Sequence, residues 1–281
     1  MKPALTAISM FTAQPRPWWL WPNLLSLDAP LIALVWQELW GQCLAVEISY
    51  LHRALLVLAT WLAYSGDRLL DVRHLKGPVD SPRHEFARCH FYVLSKLWVV
   101  AFALAVVLGL QLPLHEIICG LVLLLVLGAY FLSHHSQPIR KHAGNMKEMM
   151  AGLIFAFGTI FFVVIQVPHT PAFVLVFVAW AALCCMNCLT IAWWDRDRDI
   201  AMRQHSLAQY WNAADHWFWL WAVMIMVLGA SAWAMDARFA PIAAALLLSA
   251  LALTELARGK ATDPRRVLAD VVLLTPILFL L

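Results

Sequence analysis

Residues 173–199 read FVLVFVAWAALCCMNCLTIAWWDRDRD, an apolar run that ends directly on alternating aspartate and arginine. The run up to Trp194 is about as long as the roughly 20 apolar residues that cross a bilayer as a helix. If the helix continues past the run, Asp195 and Asp199 lie one turn apart on one face, close enough to bind one cation. Asp197 lies about 200 degrees round the helix from both, and we expect it to face solvent or an arginine.

The same pattern occurs earlier in the chain, where Asp67-Arg68-Leu69-Leu70-Asp71 follows the apolar run Leu51–Gly66. A single pair of this kind could simply end a helix in a polar loop. The repeat, with arginine in the second position each time, favours a shared site, because carboxylates at membrane depth usually mark a site or a pathway. Two facing pairs would hold Mg²⁺ and a polyanion.

Composition predicts the class of protein. Hydrophobic residues make up 63% of the chain, charged residues 13%, and the mean hydropathy is +0.73. These values exclude an ordinary soluble domain and indicate an integral membrane protein. Together with nine apolar runs along the chain, they predict an all-α, polytopic membrane bundle of about nine transmembrane helices. We expect one domain over 1–281, with an N-terminal interfacial or cytoplasmic segment at 1–23. The apolar runs are Pro30–Val46, Leu51–Gly66, Leu97–Leu114, Ile117–Leu132, Met149–Val167, Phe173–Trp194, Trp217–Met235, Ala240–Leu253 and Val267–Leu281.

The basic residues predict the orientation of these spans, since Lys and Arg accumulate on the cytoplasmic side. With the N-terminus inside, all but Arg53 and Arg238 of the 20 Lys and Arg fall on the cytoplasmic side. We therefore expect a multi-pass inner-membrane protein with both aspartate motifs at the cytoplasmic face and the C-terminus on the opposite side.

Polar residues within the apolar runs allow more than one interpretation. Glu38, with Gln37 and Gln42, either lines a substrate pocket or faces water if the first span is only partly inserted. The cysteines of Cys184-Cys185-x-x-Cys188 are expected to pack as small apolar residues, although metal binding or redox chemistry is the alternative.

The two motifs, their order and their positions after the second and sixth spans resemble the UbiA superfamily of intramembrane prenyltransferases. The resembling segments include Ala63 to Asp71, Asn187 to Ala208, Lys147-Glu148 and Leu268 to Pro276. The likeness covers nearly the whole chain. It implies nine transmembrane helices around a central cavity and transfer of a prenyl group from a prenyl diphosphate to a lipophilic, aromatic acceptor.

The resemblance also implies roles for individual residues. The four aspartates Asp67, Asp71, Asp195 and Asp199 would hold Mg²⁺ and carry catalysis. Substrate binding would fall to Arg68, Arg73, Tyr130, Arg140, Lys141, Lys147, Asn187 and Tyr64. Expected partners are the prenyl diphosphate donor, the lipophilic small-molecule acceptor and membrane lipid, with no nucleic acid. The aromatic rings of Tyr64 and Trp194 would line the pocket that holds the allylic cation, or else anchor the chain at the membrane interface.

Two other functions remain open at this point. Ala63 stands where the family usually has asparagine, and His134 where many members have lysine, which motivates a catalytically silent membrane scaffold of the same fold. An ion or solute transporter could use facing Asp and Arg side chains. A transporter of this kind is expected to have helices that are charged or broken near the middle of the membrane. The middles of the apolar runs are instead apolar, apart from Glu38.

Overall fold

The structure, a computed structural model, describes residues 16–74, 81–135, 146–201, 207–210, 214–260 and 262–280. These residues are helical and contain no β-strand, so the all-α prediction is confirmed. The α-helices are α1 (Trp21–Leu24), α2 (Asp28–Leu44), α3 (Tyr50–His74), α4 (Pro82–Cys89), α5 (Phe91–Gly109), α6 (Leu114–His135), α7 (Lys147–Thr159), α8 (Phe161–Val164), α9 (Pro171–Ala201), α10 (Ala214–Met235), α11 (Ala240–Ala257) and α12 (Asp263–Val271). Short 3-10 turns lie at Trp18–Leu20, Leu207–Tyr210, Ala237–Phe239 and Val272–Phe279.

Five helical stretches in the described residues are long and apolar enough to cross a membrane. They belong to α5, α6, α9, α10 and α11, the last together with the turn that precedes it. This finding supports the prediction of a membrane protein. The other predicted spans are also helical but do not meet the same criteria of length and hydropathy, so the count of nine stays a prediction.

The four remaining apolar runs fail the criteria of length and hydropathy for physical reasons. α2 is 17 residues long and includes Asp28 and Glu38. α3 is long enough but carries charge at both ends. The fifth run is divided into α7 and α8 at Ile160, and the last into α12 and the 3-10 turn Val272–Phe279, which contains Pro276.

The centre of the bundle is α9. In its apolar stretch 72% of the residues are buried, and the helix packs against α7, α10 and α11. Its 31 residues correspond to a length of about 46 Å, more than the roughly 30 Å of a hydrocarbon core. The helix is therefore longer than a hydrocarbon core is thick.

Small residues allow α7 to approach α9 closely. A side chain at Gly152 of α7 would place its Cβ 2.7 Å from the backbone Cα and N of Cys185 on α9. Cys184 and Cys185 are both buried there, which agrees with their predicted role in packing. In a membrane, where helices gain little from hydrophobic burial against one another, such close backbone contact is a principal source of association.

The beginning and the end of the bundle pack against each other. The turn Val272–Phe279 lies against α2 and α11. Trp36 of α2 donates its indole N–H to the Leu273 carbonyl at 2.7 Å, and Ser249 of α11 donates its hydroxyl to the Val272 carbonyl at 2.8 Å. Trp36 also stacks on Trp180 of α9 with ring centroids 4.0 Å apart.

The bundle has two distinct ends. The motif end comprises the C-terminal ends of α3 and α9, helix α4 and the N-terminal ends of α2 and α7. The opposite end comprises the C-terminal end of α2, the N-terminal ends of α3 and α6, and the turn before α11. Both aspartate motifs therefore lie at one end of the bundle, as the sequence predicted, whereas the side of the membrane that this end faces stays a prediction.

Candidate functional site

The first motif lies within a continuous helix. Because α3 runs without interruption to His74, Asp67 and Asp71 are one turn apart on its surface, as the spacing predicted. The Asp71 carboxylate lies 3.4 Å from the Nε2 atom of His84 on α4. Both aspartates interact electrostatically with Tyr130 of α6. The first carboxylate pair therefore lies near Tyr130 of α6 and, at Asp71, beside α4.

Arg68, between these two aspartates, turns into the protein. Its side chain is buried and donates a hydrogen bond to the carbonyl of Asn23. It also interacts with Asp28 at the start of α2 and Asp270 on α12. Burial lowers the pKa of Arg68, and the two carboxylates oppose that shift. The guanidinium group is thus already engaged within the protein, and its predicted contact with substrate stays a prediction.

Asn23 joins the two carboxylates around Arg68. Its amide nitrogen lies 2.7 Å from Asp28 Oδ2 and 3.5 Å from Asp270 Oδ2, and the two carboxyl groups interact directly with each other. This network ties α3 to the N-terminal turn and to α12. It fixes the first motif against the two ends of the described chain.

The second motif is held by arginines from elsewhere in the chain. Asp195 accepts a hydrogen bond from Arg266 Nη2 of α12 at 2.5 Å, and Arg83 Nη2 of α4 lies 3.8 Å from its other carboxylate oxygen. Arg196 lies over the ring of Trp193 at 5.3 Å. Asp197 is exposed, as helical geometry predicted. The side chain of Asp199 lies outside the described residues.

Helix α4 connects the two motifs. Its consecutive residues Arg83 and His84 contact Asp195 and Asp71 respectively. Pro82 at the first turn of α4 and the packing of Phe86 in a small cluster with Leu20 and Leu24 position this helix across the motif end. The loop that follows the first motif thus supplies basic side chains to both carboxylate sets.

Aromatic residues line the same region. Tyr64, one turn before Asp67, packs edge-to-face against Phe155 of α7 with centroids 6.0 Å apart. Trp194 is buried and donates its indole N–H to the Gly259 carbonyl at 3.2 Å. Tyr64 therefore faces α7 in the bundle interior, whereas Trp194 joins α9 to the end of α11.

The remaining predicted binding residues occupy varied positions. Asn187 is buried and donates to the Ala269 carbonyl at 2.9 Å, which joins α9 to α12. Lys147 lies at the start of α7 with its Nζ atom 4.0 Å from the buried Glu148. Arg73 is exposed near the end of α3. Arg140 and Lys141 lie outside the described residues.

The chemistry of the motif end suits a hard divalent cation, which prefers carboxylate oxygens. Asp67 and Asp71 of α3 and Asp195 of α9 supply such oxygens from two helices at one end. Among the described side chains, no three His, Cys, Asp or Glu are close enough together to hold a metal ion. Asp195 is paired with two arginines, so bringing both motifs onto one ion requires Arg83 or Arg266 to move toward another anion.

Several residues of this site were not predicted from the sequence. The packing of α2 and α12 against α3 and α9 brings three further residues close to the motifs, namely Asp28, Asn23 and Arg266. No local pattern marks them. Asp270 lies in the C-terminal segment that carries part of the family resemblance, and that segment was the one available signal.

The opposite end carries separate charged groups. Glu38 forms a two-bond ion pair with Arg53, at 2.6 and 2.8 Å, beside a cleft of about 620 Å³ lined by Gly41, Gln42 and Leu280 among others. The partly exposed Glu38 thus faces an open cleft far from the motifs. Nearby, His52 Nε2 lies 3.2 Å from the buried Glu116.

Comparison with known proteins gives no match to a family model, a curated protein or a solved structure.

Proposed function

We propose that the protein is a divergent member of the UbiA superfamily, a Mg²⁺-dependent intramembrane prenyltransferase. It would move a prenyl group from a prenyl diphosphate to a lipophilic, aromatic acceptor. The observation that carries this proposal is the convergence of the two motifs on α4. Arg83 lies 3.8 Å from Asp195 and His84 lies 3.4 Å from Asp71, and this link through consecutive residues of one helix supports a single site at that end of the bundle.

The charges of this site suit a diphosphate. Asp67 and Asp71, with Asp195 and Asp199, would hold Mg²⁺, which when bound stabilises the negative charge on a leaving pyrophosphate. The guanidinium groups of Arg83 and Arg266 are ready-made ligands for phosphate oxygens, since arginine binds carboxylate and phosphate with the same planar fork. An arriving diphosphate would take over the arginines that Asp195 holds and thereby free its carboxylate.

The surroundings of the site suit an allylic group. Tyr64 and Phe155 place aromatic faces within the bundle, one turn away from Asp67. Aromatic rings stabilise a developing cation, and apolar helices beyond them exclude water from it. The prenyl chain itself would lie among the apolar residues of the bundle or in the bilayer.

The proposal is tested by Mg²⁺-dependent release of pyrophosphate from geranyl, farnesyl and geranylgeranyl diphosphate by the purified protein. Asp67→Ala with Asp195→Ala is expected to abolish release, because loss of charge stabilisation at the leaving group costs on the order of 10²–10³ in rate for each group. Glu255→Ala is the matched control, since Glu255 is an exposed carboxylate paired on the surface with Arg258.

Activity that survives the double substitution would sink the metal-site mechanism. Activity absent with all donors, in the presence of benzoate, naphthoate and quinone acceptors, would favour the catalytically silent scaffold. That alternative has one structural observation on its side: Asp195 is already paired with Arg266 at 2.5 Å, an arrangement that is complete without a ligand.

A further inference from the structure

Three buried polar atoms of α2 have no hydrogen-bonding partner among the described residues. They are Nε2 and Oε1 of Gln37 and Nε1 of Trp40. Both side chains are completely enclosed, with 0% of their surface exposed. The two residues are three apart, so they lie on neighbouring turns of one helix face.

Such atoms are uncommon in folded proteins, because a buried donor or acceptor without a partner loses its hydration and gains nothing in exchange. Elsewhere this core satisfies its indole groups: Trp36 donates to the Leu273 carbonyl and Trp180 to the Ala156 carbonyl. Because the other indole groups of this core are bonded, the unbonded atoms of Gln37 and Trp40 indicate a partner outside the chain.

The atoms themselves define the chemistry of that partner. Gln37 offers one acceptor and two donor hydrogens and Trp40 offers one donor, a set that matches a carbonyl or hydroxyl oxygen and includes no charge. Phe173 and Phe239 pack edge-on against the Trp40 ring at centroid distances of 5.6 and 6.3 Å. Aromatic walls of this kind suit a flat, apolar body.

We propose that Gln37 and Trp40 form a mid-membrane binding site for the carbonyl or hydroxyl group of a neutral, ring-bearing lipophilic molecule, of which an alkylated quinone is the simplest representative. The ligand would accept a hydrogen bond from the Trp40 indole and exchange one with the Gln37 amide.

The cleft at the opposite end of the bundle provides the route. Gly41 lines this cleft of about 620 Å³ together with Ile48 and Leu280, and it follows Gln37 by four residues, which places the two on one face of α2. A Cβ at Gly41 would lie 3.0 Å from a side-chain carbon of Ile48, so the Ile48 side chain packs directly on α2 at this position and must move aside for the ligand. Since both polar residues are enclosed, their side chains must shift as the ligand enters.

This site is separate from the motif end. Gln37 lies nine residues from Asp28, which corresponds to about 13 Å along the helix, too far for one aromatic ring to touch both Gln37 and the carboxylates around Arg68. The inference therefore goes beyond the proposed function and does not depend on it.

Thermal unfolding of the full-length protein in detergent, followed by circular dichroism, tests the proposal with two probes. One is a decyl-substituted benzoquinone, and the other is decylbenzene, which has the same apolar body without the oxygens. We expect only the quinone to raise the Tm of the wild type, in a concentration-dependent manner. Gln37→Leu and Trp40→Phe should each weaken the apparent affinity about tenfold, the contribution of one hydrogen bond.

The matched control is Trp36→Phe, which removes an indole N–H that is already bonded to Leu273. It should lower the Tm without ligand and leave the affinity for the quinone unchanged, whereas Gln37→Leu should keep or raise the Tm without ligand. A wild type that does not respond to the quinone would overturn the proposal and leave a buried water as the partner. Equal stabilisation by both probes, or an unchanged affinity in Gln37→Leu, would also overturn it.

Discussion

The two arginines in the second position of the motifs have different surroundings, although each directly follows the first aspartate of its motif. Arg68 is buried against Asn23 and Asp28, whereas Arg196 lies over Trp193. The spacing of Asp67 and Asp71 on α3 was predicted correctly, because helical geometry alone sets it. The surroundings of the arginines depend on the neighbouring elements, which differ between α3 and α9.

The ion pair between Arg266 and Asp195 is expected to contribute to stability. Arg266→Gln should lower the free energy of unfolding by about 1.5–3 kcal/mol, the range for a hydrogen bond to a charged group, because both side chains are mostly enclosed, with 13% and 17% exposed. Denaturant or thermal unfolding in detergent measures the change.

The pair Arg258–Glu255 provides the control for this prediction, because its side chains are 49% and 59% exposed. Arg258→Gln should change stability by only about 0.5 kcal/mol or less, as is usual for exposed pairs. Equal losses in the two variants would contradict the assignment of a stabilising role to the Arg266 pair.

At the scale of elements, the apolar runs predicted where helices form, but four of them differ from simple spans. The fifth run is divided at Ile160, and the ninth ends in a 3-10 turn containing Pro276. Helix α4 lies between the second and third apolar runs, and no apolar run marks it in the sequence. Its contacts with Asp71 and Asp195 arise from its packing across α3, which the local sequence does not specify.

The contact between α7 and α9 gives a prediction about packing. Gly152→Ala should destabilise the protein by about 1–3 kcal/mol, because the new Cβ would meet the Cys185 backbone at 2.7 Å and neither helix can shift without moving its other neighbours. Thermal unfolding of the purified variant in detergent measures the loss.

Gly158, on the same helix, is the matched control for this substitution. A Cβ added at Gly158 would have no neighbouring atom within 4 Å among the described residues, so Gly158→Ala should leave stability unchanged or raise it by up to about 1 kcal/mol through helix propensity. A Gly152→Ala variant as stable as Gly158→Ala would show that the two helices are not in close contact.

For the whole molecule, both motifs were correctly predicted to lie at one end, because alternate apolar runs reverse the direction of the chain across a bilayer. The sequence did not indicate that Asp28 and Asp270 belong to the motif end. Each is an isolated carboxylate, and they meet only because α2 and α12, from opposite ends of the sequence, pack together. The location of Gln37 in a closed core rather than in water also required the packing of α2 against its neighbours.

The orientation of the bundle can be measured with single cysteines in a background without the six native ones. We expect Arg73→Cys and Arg258→Cys, both at the motif end, to react with a membrane-impermeant maleimide only in inverted vesicles. Arg238→Cys, at the opposite end, should react in intact cells. Labelling of Arg73→Cys and Arg238→Cys from the same side would contradict the predicted topology.

The packing of the turn Val272–Phe279 on α2 has a consequence for biosynthesis. Chains emerge from the ribosome N-terminus first, so α2 is synthesised long before Leu273, the residue whose carbonyl binds its Trp36. Until then the face of α2 that carries Trp36, and the carboxylate of Asp28 that later meets Asp270, lack their native partners. The packing of α2 in the bundle is therefore completed only after most of the chain has been synthesised.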